Sequence, residues 1–454
     1  MIRGFMKTTS RTALLAAAGV LMGGFALSSA QAADLGGGCC GDLEERIAEL
    51  EATTARKGNR VVSLQVYGQV NKALLWWDDG TFSDTFVVDN DYSGSRIGLT
   101  GTAKIAPGWT AGYLAEWDYQ DSASDKVDNR GVKVSTTGLD SDELNPNEMN
   151  IRYNEWYIES ETYGRLSLGQ GSTAADGIAE IVLANSIRNA DLNWVNNFLP
   201  RSAAGVLAGF NWAQTAGDLD GDRDDRIRWD SPSIRGFILS SSWGDNDYWD
   251  VTLRYKNEWN SVRVAAGVGY QYNSTRDVSV ATYAGPPPAS AATTTGGTPG
   301  SGGNTASYLD AFSPFEVVSG SGSIMHIPTG LYLAVSAGTK NYRDFDNDPT
   351  TWYVQAGIEK KWLPFGATTF YGEYAEYYDF NRLGVVYLDA TLNQHTDGLD
   401  VDSKATRWGV GLVQRIDPAA MEIYAQATVW SYEDDTDVNY EDLAQVMVGS
   451  RIKF

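Results

Sequence analysis

The sequence predicts an all-β protein, a 16-stranded antiparallel transmembrane β-barrel with a short N-terminal periplasmic helix. Three observations carry this. From Val61 to the last residue, apolar and polar side chains alternate with a period of two. Sixteen such runs follow one another, joined alternately by tight turns and longer loops. The chain ends on "DLAQVMVGSRIKF", in which Phe454, Ile452, Ser450, Val448, Val446 and Ala444 face one side of an extended strand and Lys453, Arg451, Gly449 and Met447 the other. A terminal strand frays unless something ties it down, so this one needs a partner, and the first strand is the expected one.

The chain opens on a basic stretch, Met1 to Arg11, then the apolar Thr12 to Leu27, then Ala30-Gln31-Ala32 as an A-x-A cleavage site. Residues 1–32 therefore read as an export signal. No later stretch supplies the ~18 continuous apolar residues of a membrane-spanning helix. Cleavage removes Arg3, Lys7 and Arg11, leaving 32 basic against 58 acidic residues, which disfavours nucleic acid as a partner. Twenty-four Tyr, 15 Trp and 48 Gly accompany only two His, which leaves little for His-based metal or acid–base chemistry. Cys39 and Cys40 are adjacent near the mature start, where intermolecular disulfides, lipidation and free thiols are the alternatives.

Within residues 33–60, Asp42 can cap a helix whose Leu43, Ile47 and Leu50 recur at spacings of four and three, and Gly58 stops it. So short an apolar seam needs something to pack on, either another copy as a coiled coil or the barrel rim. From 61 to 454 the strands are expected at about 61–77, 96–105, 109–119, 150–160, 164–170, 225–231, 235–243, 248–258, 261–272, 315–326, 330–340, 350–362, 366–379, 404–416, 419–431 and 442–454. Seven tight turns, around 107, 162, 233, 260, 328, 364 and 417, alternate with eight loops. In the second strand Ile97, Leu99, Ala103 and Ile105 oppose Arg96, Thr100, Thr102 and Lys104, so charges share a side with small polar residues. Strand four breaks the rule, since Glu155 and Glu159 fall on the side of Ile151, Tyr153 and Tyr157. Cover by a trimer interface and a shifted register are the two explanations.

An even number of up-and-down strands, polar on one face and apolar on the other, fits a closed cylinder with lipid outside and water inside. Trp76, Trp77, Trp109, Trp117, Tyr119, Tyr163, Trp243, Trp259, Trp352, Trp362, Trp408 and Trp430 gather at strand ends, as two aromatic girdles would. The segments "DLEERIAELEATTARKGNRVVSL.VYG.VN", "RYNEWYIESETYGRLSLGQGSTAADGIAEI" and the closing "VGSRIKF" resemble the alphaproteobacterial general porins over nearly the whole mature chain. The resemblance implies a trimeric outer-membrane channel for small hydrophilic solutes and ions, with the third loop folded into the lumen. It also implies that Phe454 belongs to the signal for outer-membrane assembly.

The segment Gly171 to Asp224, long enough to be functional in its own right, is the expected constriction loop. Asp176, Glu180 and Asp191 would present carboxylates to the pore, facing a wall of Arg96, Lys104, Arg152, Arg165, Arg226, Arg228, Arg254, Arg263 and Arg407. Opposed charges of this kind sort hydrated solutes, whereas the plainer alternative is solvated charge on a polar face. In "DLDGDRDD", Asp218, Asp220 and Asp222 stand at every second position with the oxygen-rich spacing of a Ca²⁺ loop but without the closing Glu. "AGPPPASAATTTGGTPGSGGNTAS" (284–307) is low-complexity loop. Besides the passive channel, the helix expected at 42–56, within the periplasmic segment 33–60, supports a structural reading, a barrel tethered to the peptidoglycan of the cell wall. An enzyme would need a partnered His, but His326 lies by a turn and His395 in a loop.

Overall fold

Sixteen antiparallel strands pair edge to edge into a closed ring in the computed structural model, which describes residues 62–130, 149–186, 197–245, 247–274, 277–278, 311–312, 314–343, 348–381, 383–388, 394–399, 402–436 and 438–454. The export signal, the helix expected within 33–60, Cys39, Cys40 and the stretch 284–307 lie outside the described residues. The barrel strands are β1 (Gln65–Asp78), β2 (Arg96–Ala106), β3 (Trp109–Asp118), β4 (Asn150–Ser160), β5 (Gly164–Ser172), β6 (Arg223–Asp230), β7 (Phe237–Gly244) and β8 (Trp249–Trp259). They continue as β9 (Val262–Asn273), β10 (Phe315–His326), β11 (Leu331–Tyr342), β12 (Thr350–Leu363), β13 (Gly366–Tyr378), β14 (Ser403–Ile416), β15 (Met421–Asp434) and β16 (Leu443–Lys453). Each lies within four residues of its expected limits.

The ring closes where the sequence requires it. β16 pairs with β1 from Lys453 opposite Gln69 to Ala444 opposite Asp78. Beyond the strand, Gly68 and Phe454 exchange both backbone N–H···O bonds, at 2.9 and 3.0 Å. The Phe454 ring lies over Gly68, where a Cβ would stand 2.5 Å from the ring and 2.6 Å from the Arg96 carbonyl oxygen. Only glycine leaves room for the terminal ring on that seam.

The outside is apolar and the inside polar, the reverse of a soluble protein. Val66, Val70, Leu74, Leu166, Leu168, Leu239, Leu253, Val268, Leu333, Phe370, Val410 and Ile452 are all exposed, while Gln69, Asn71, Glu116, Glu155, Ser242, Asp250, Gln355, Glu373 and Gln426 are buried. Outward aromatic pairs mark both ends. Trp109–Tyr163 (5.9 Å), Phe237–Tyr255 (4.5 Å) and Trp362–Phe370 (5.6 Å) stand near the turns, and Trp249–Tyr270 (5.2 Å) and Trp352–Tyr374 (5.4 Å) near the loops.

Four expectations need correction. Connection lengths do not alternate strictly, because 245–248 on the loop side is shorter than the turn 231–236. Strand four is disturbed by a β-bulge: Glu116 pairs with Tyr153 and Trp117 with Ile151, so Arg152 is an extra residue. Past the bulge Tyr153, Glu155 and Tyr157 share the inner face, and the mixed pattern disappears. Trp77 and Trp430 belong to no girdle; both point inward and are buried. Finally, the interior is not polar throughout. Near the loops Leu75, Trp77, Tyr377, Trp430, Tyr432, Leu443 and Met447 form an apolar core inside the barrel, closed over by Phe198, Phe210 and Trp212 of the long third loop.

Nothing in the sequence announced a short strand, Ser83–Asp89, that pairs with residues 72–78 of β1, while β2 pairs with residues 65–69. Between them the chain leaves the sheet for the turn Asn90–Ser95.

Replacing Gly68 by Val is expected to cost about 1–3 kcal/mol by overpacking the closing seam. Heat-modifiable migration of the folded barrel on gels should then be lost at a lower temperature than in the wild type.

Candidate functional site: the lumen and its constriction

Loop 3, residues 173–222, leaves β5 and folds into the barrel instead of over its rim. A loop inside a lumen has backbone groups that must find partners, and here the wall supplies them as side-chain oxygens. The N–H groups of Ala174 and Ala175 donate to Ser242 Oγ (3.0 Å) and Asp250 Oδ2 (2.6 Å) on β7 and β8. Those of Ile181 and Leu183 donate to Ser321 and Ser323 on β10, and that of Asn185 to Glu359 Oε2 on β12 (2.6 Å). Ser186 Oγ donates to Gln355, and Asn185 Nδ2 reaches Glu422 on β15 (3.2 Å). The loop thus runs along the inner wall from β5 to β15. Gly267 on β9 makes room for it, since a Cβ there would stand 2.6 Å from Ile178 and 2.9 Å from Ile181.

The two ends of loop 3 are clasped together. Asp220 accepts the N–H groups of Gly177 (2.6 Å) and Ala179 (2.7 Å), and Thr173 N donates to the Asp222 carbonyl (3.0 Å). Burial, then the neighbouring carboxylates of Asp218 and Glu180, push the Asp220 carboxyl up to about 9, against the two N–H groups that favour its charged form. Asp218, Asp220 and Asp222 are therefore engaged in the fold of the loop, and among the described residues no three His, Cys, Asp or Glu side chains are grouped to hold a metal ion. Asp176 accepts from Ser172 Oγ at the root of the loop, and Glu180 lies half-buried beside the clasp. Asp191 lies outside the described residues.

The nominated basic residues divide by task. Arg226, Arg228 and Arg254 hold the root of loop 3: they donate to the carbonyls of Ser172 (2.8 Å), Thr173 (2.8 Å) and both Ala174 and Asp176 (2.7 and 2.8 Å). Arg407 is sealed beneath the aromatic core, paired with Glu373, which also accepts from Tyr353 and Gln426. Lys104 and Arg263 stand at the turn end of the barrel, away from the loop. Arg96, Arg152 and Arg165 remain half-buried on the lumen wall. Arg152 donates to Glu116 (2.9 Å) and Asp118 (3.1 Å), Arg96 lies 3.5 Å from Glu116, and Arg165 pairs with Glu155 and stacks 3.6 Å over Tyr157.

Sequence reasoning missed Arg451, although the strand alternation had put it on the inner face. Its guanidinium pairs with Glu422, the residue that Asn185 of loop 3 touches, and donates to Ser93 Oγ (2.7 Å). Arg96 donates to the same oxygen (2.7 Å). A polar chain therefore crosses the lumen wall from loop 3 through Glu422, Arg451, Ser93, Arg96, Glu116 and Arg152. Charge of both signs, set on a wall that faces a folded-in loop, suits a water-filled path that filters solutes by size and charge.

A family model of the Gram-negative porins matches residues 13–436. The chain belongs to that family. It is an outer-membrane diffusion channel, and solved structures share its fold. OmpT of Vibrio cholerae, an outer membrane protein, is 11% identical over 88% of this chain and 99% of its own, with a TM-score of 0.53. The trimer form of the same protein aligns at 0.52 with 11% identity, over 87% of this chain and 100% of its own. An anion-selective porin from Comamonas acidovorans aligns at 0.50 with 15% identity, over 87% and 100%. No curated protein sequence matches the chain.

Two outcomes follow for this porin. A carboxyl with an ordinary value near 4 that docking holds neutral to about 9 costs the docked loop nothing below pH 4. The cost grows as pH rises toward 9, because the released carboxyl ionises and the docked one does not. Limited proteolysis, corrected for the protease's own pH profile, should cut loop 3 faster at pH 9 than at pH 6, and Asp220→Asn should abolish the difference. Asp250→Ala strands the N–H of Ala175, at roughly 1–3 kcal/mol for the unmet buried group, and should raise single-channel conductance by loosening the root of the loop.

Proposed function

We propose that this porin is a passive, non-enzymatic homotrimeric channel of the alphaproteobacterial general type, passing small hydrophilic solutes and ions. The observation that carries this is loop 3 lying inside a closed cylinder whose inner wall holds paired charges. Asp176 and Glu180, with Asp191, form the acidic side of the constriction in this proposal, and Arg96, Arg152 and Arg165, joined by Arg451, the basic side. Acidic net charge modestly enriches cations at the mouths, so a mild cation preference is expected. Lipopolysaccharide and lipid cover the outer face, Phe454 serves in assembly, and the periplasmic segment 33–60 contacts the cell wall.

Support for self-association comes from polar groups that point outward along one arc. Lys72 lies between exposed Val70 and Leu74 in the middle of β1, bonded to Asp89 (2.7 Å) and Asp121. Asn154 and Gln170 pair directly across β4 and β5 on the face of exposed Trp156 and Leu168. A lysine on the lipid face costs about 2–4 kcal/mol at mid-membrane. A second copy of the chain covering this arc removes that cost.

Purified protein in planar bilayers should give ohmic channels whose zero-current potential in a KCl gradient has the sign of cation preference; folded protein without channels refutes the proposal. Asn154→Trp should lower the temperature at which oligomers dissociate on gels, whereas Val268→Trp on β9 should not.

A further inference from the structure

Loop 3 is not the only backbone that enters the lumen. Opposite β1, Asp89 pairs with Lys72 and Arg96 with Gln69, so three steps along β1 span seven on the other side. The four extra residues fold as a short 3₁₀ turn, Asp91–Ser93, capped by Asn90, whose side chain accepts the N–H of Tyr92. The direction of this turn is fixed by its partners. Gln69 and Asn71 alternate with exposed Val70, so their side chains point inward. Gln69 Nε2 donates to the carbonyls of Ser93 (2.7 Å) and Gly94 (2.8 Å), and Asn71 Nδ2 to that of Ser93 (2.9 Å). The turn therefore lies on the lumen side of β1.

From there it reaches further. Tyr92 packs against the buried cluster that contains Tyr371 on β13 and Tyr424 on β15. Tyr424 in turn donates to Asn71 (2.7 Å). Ser93 is the meeting point of the wall charges, because its hydroxyl oxygen receives Gln69 Nε2 (3.0 Å), Arg96 Nη2 (2.7 Å) and Arg451 Nη1 (2.7 Å). A hydroxyl oxygen accepts two hydrogen bonds in good geometry, so two guanidinium groups are gathered around a single oversubscribed oxygen. Tyr92 and Ser93 are both half-buried. The other end of the same chain of contacts is Asn185 of loop 3, through Glu422 and Arg451.

We infer that the turn Asn90–Ser95 is a second pore-narrowing element, linked to loop 3 at Asn185, with Tyr92 limiting the width of the water path and Ser93 restraining how far Arg96 and Arg451 project into it. The inference rests on the channel function and assigns to β2 a share of selectivity that the third loop alone would otherwise carry.

The test uses full-length channels in planar bilayers. In Tyr92→Cys, a charged methanethiosulfonate reagent should reduce the current of open channels while leaving wild type, with its own Cys39 and Cys40, unaffected. Tyr92→Ala should raise single-channel conductance, because it removes one ring from the opening. Ser93→Ala removes the oxygen that draws both guanidinium groups together, leaving each held by its carboxylate alone, and should shift the zero-current potential toward anions, a readout that a merely structural role would not move. If Tyr92→Cys does not fold, Ser93→Ala, which removes one oxygen, carries the test. Conducting channels in which the thiol is not blocked and the zero-current potential of Ser93→Ala matches wild type overturn the inference. Folded protein that forms no channels at all refutes instead the function on which it rests.

Discussion

Everything in this molecule depends on the rule that a backbone N–H or C=O has no partner in hydrocarbon unless the protein supplies one. A sheet that meets the rule must close, and closure needs the first and last strands to meet. The pairing of Gly68 with Phe454 and of β1 with β16 satisfies this, and the rest of the partition follows. With lipid outside, exposed leucine, valine and tryptophan cost nothing, and the buried positions become the place for Gln, Ser, Asp and Arg. The interior of the barrel is then both the site of function and a region where polar side chains do structural work.

That double use explains how loop 3 is held. The first half of the loop pairs with no strand, so its backbone is satisfied by the side chains of the wall, whereas Arg201–Ser202 in the second half pairs with Tyr440–Glu441. Ser242, Asp250, Ser321, Ser323 and Glu359 act in place of a sheet edge. Arg226, Arg228 and Arg254 do the same for carbonyls. The aromatic core at the loop end adds the nonpolar anchorage that polar contacts with water nearby would not give alone. Trp212 against Trp430 and Phe198 against Trp77 place the second half of the loop against the inner face of β1 and β15.

Most of the cylinder was legible in the sequence because a strand with one wet and one greasy face writes a period of two that local reading recovers. All sixteen strands and the seam were visible for that reason. What stayed hidden depends on contacts distant in sequence. Trp77 and Trp430 have the composition and position of girdle residues, and only the folding-in of Phe198 and Trp212 turns them into core. The bulge at Arg152 adds one residue without any glycine to announce it, so alternation on β4 looked faulty. The basic residues illustrate the limit most sharply. Nine of them were expected on the wall, and alternation put Arg451 there as well, but no local pattern distinguishes Arg254, bound to loop carbonyls, from Arg152, bound to Glu116 and Asp118 on the wall.

This division changes how charge in the lumen should be weighed. If every inward arginine met solutes, the wall would be a uniform basic surface against an acidic loop. Instead, Arg407 is neutralised by buried Glu373, three arginines serve the root of the loop, and Arg96, Arg152 and Arg451 each have a carboxylate within 3.5 Å. The field a solute meets is then set by small displacements within paired groups rather than by a count of charges. Two ion pairs, Arg96–Glu116 and Arg451–Glu422, whose guanidinium groups meet at the single hydroxyl of Ser93, can change their dipoles with little backbone motion. In the proposed channel, the acidic net charge acts at the mouths, and the hydrogen-bond geometry of these paired groups acts along the lumen wall.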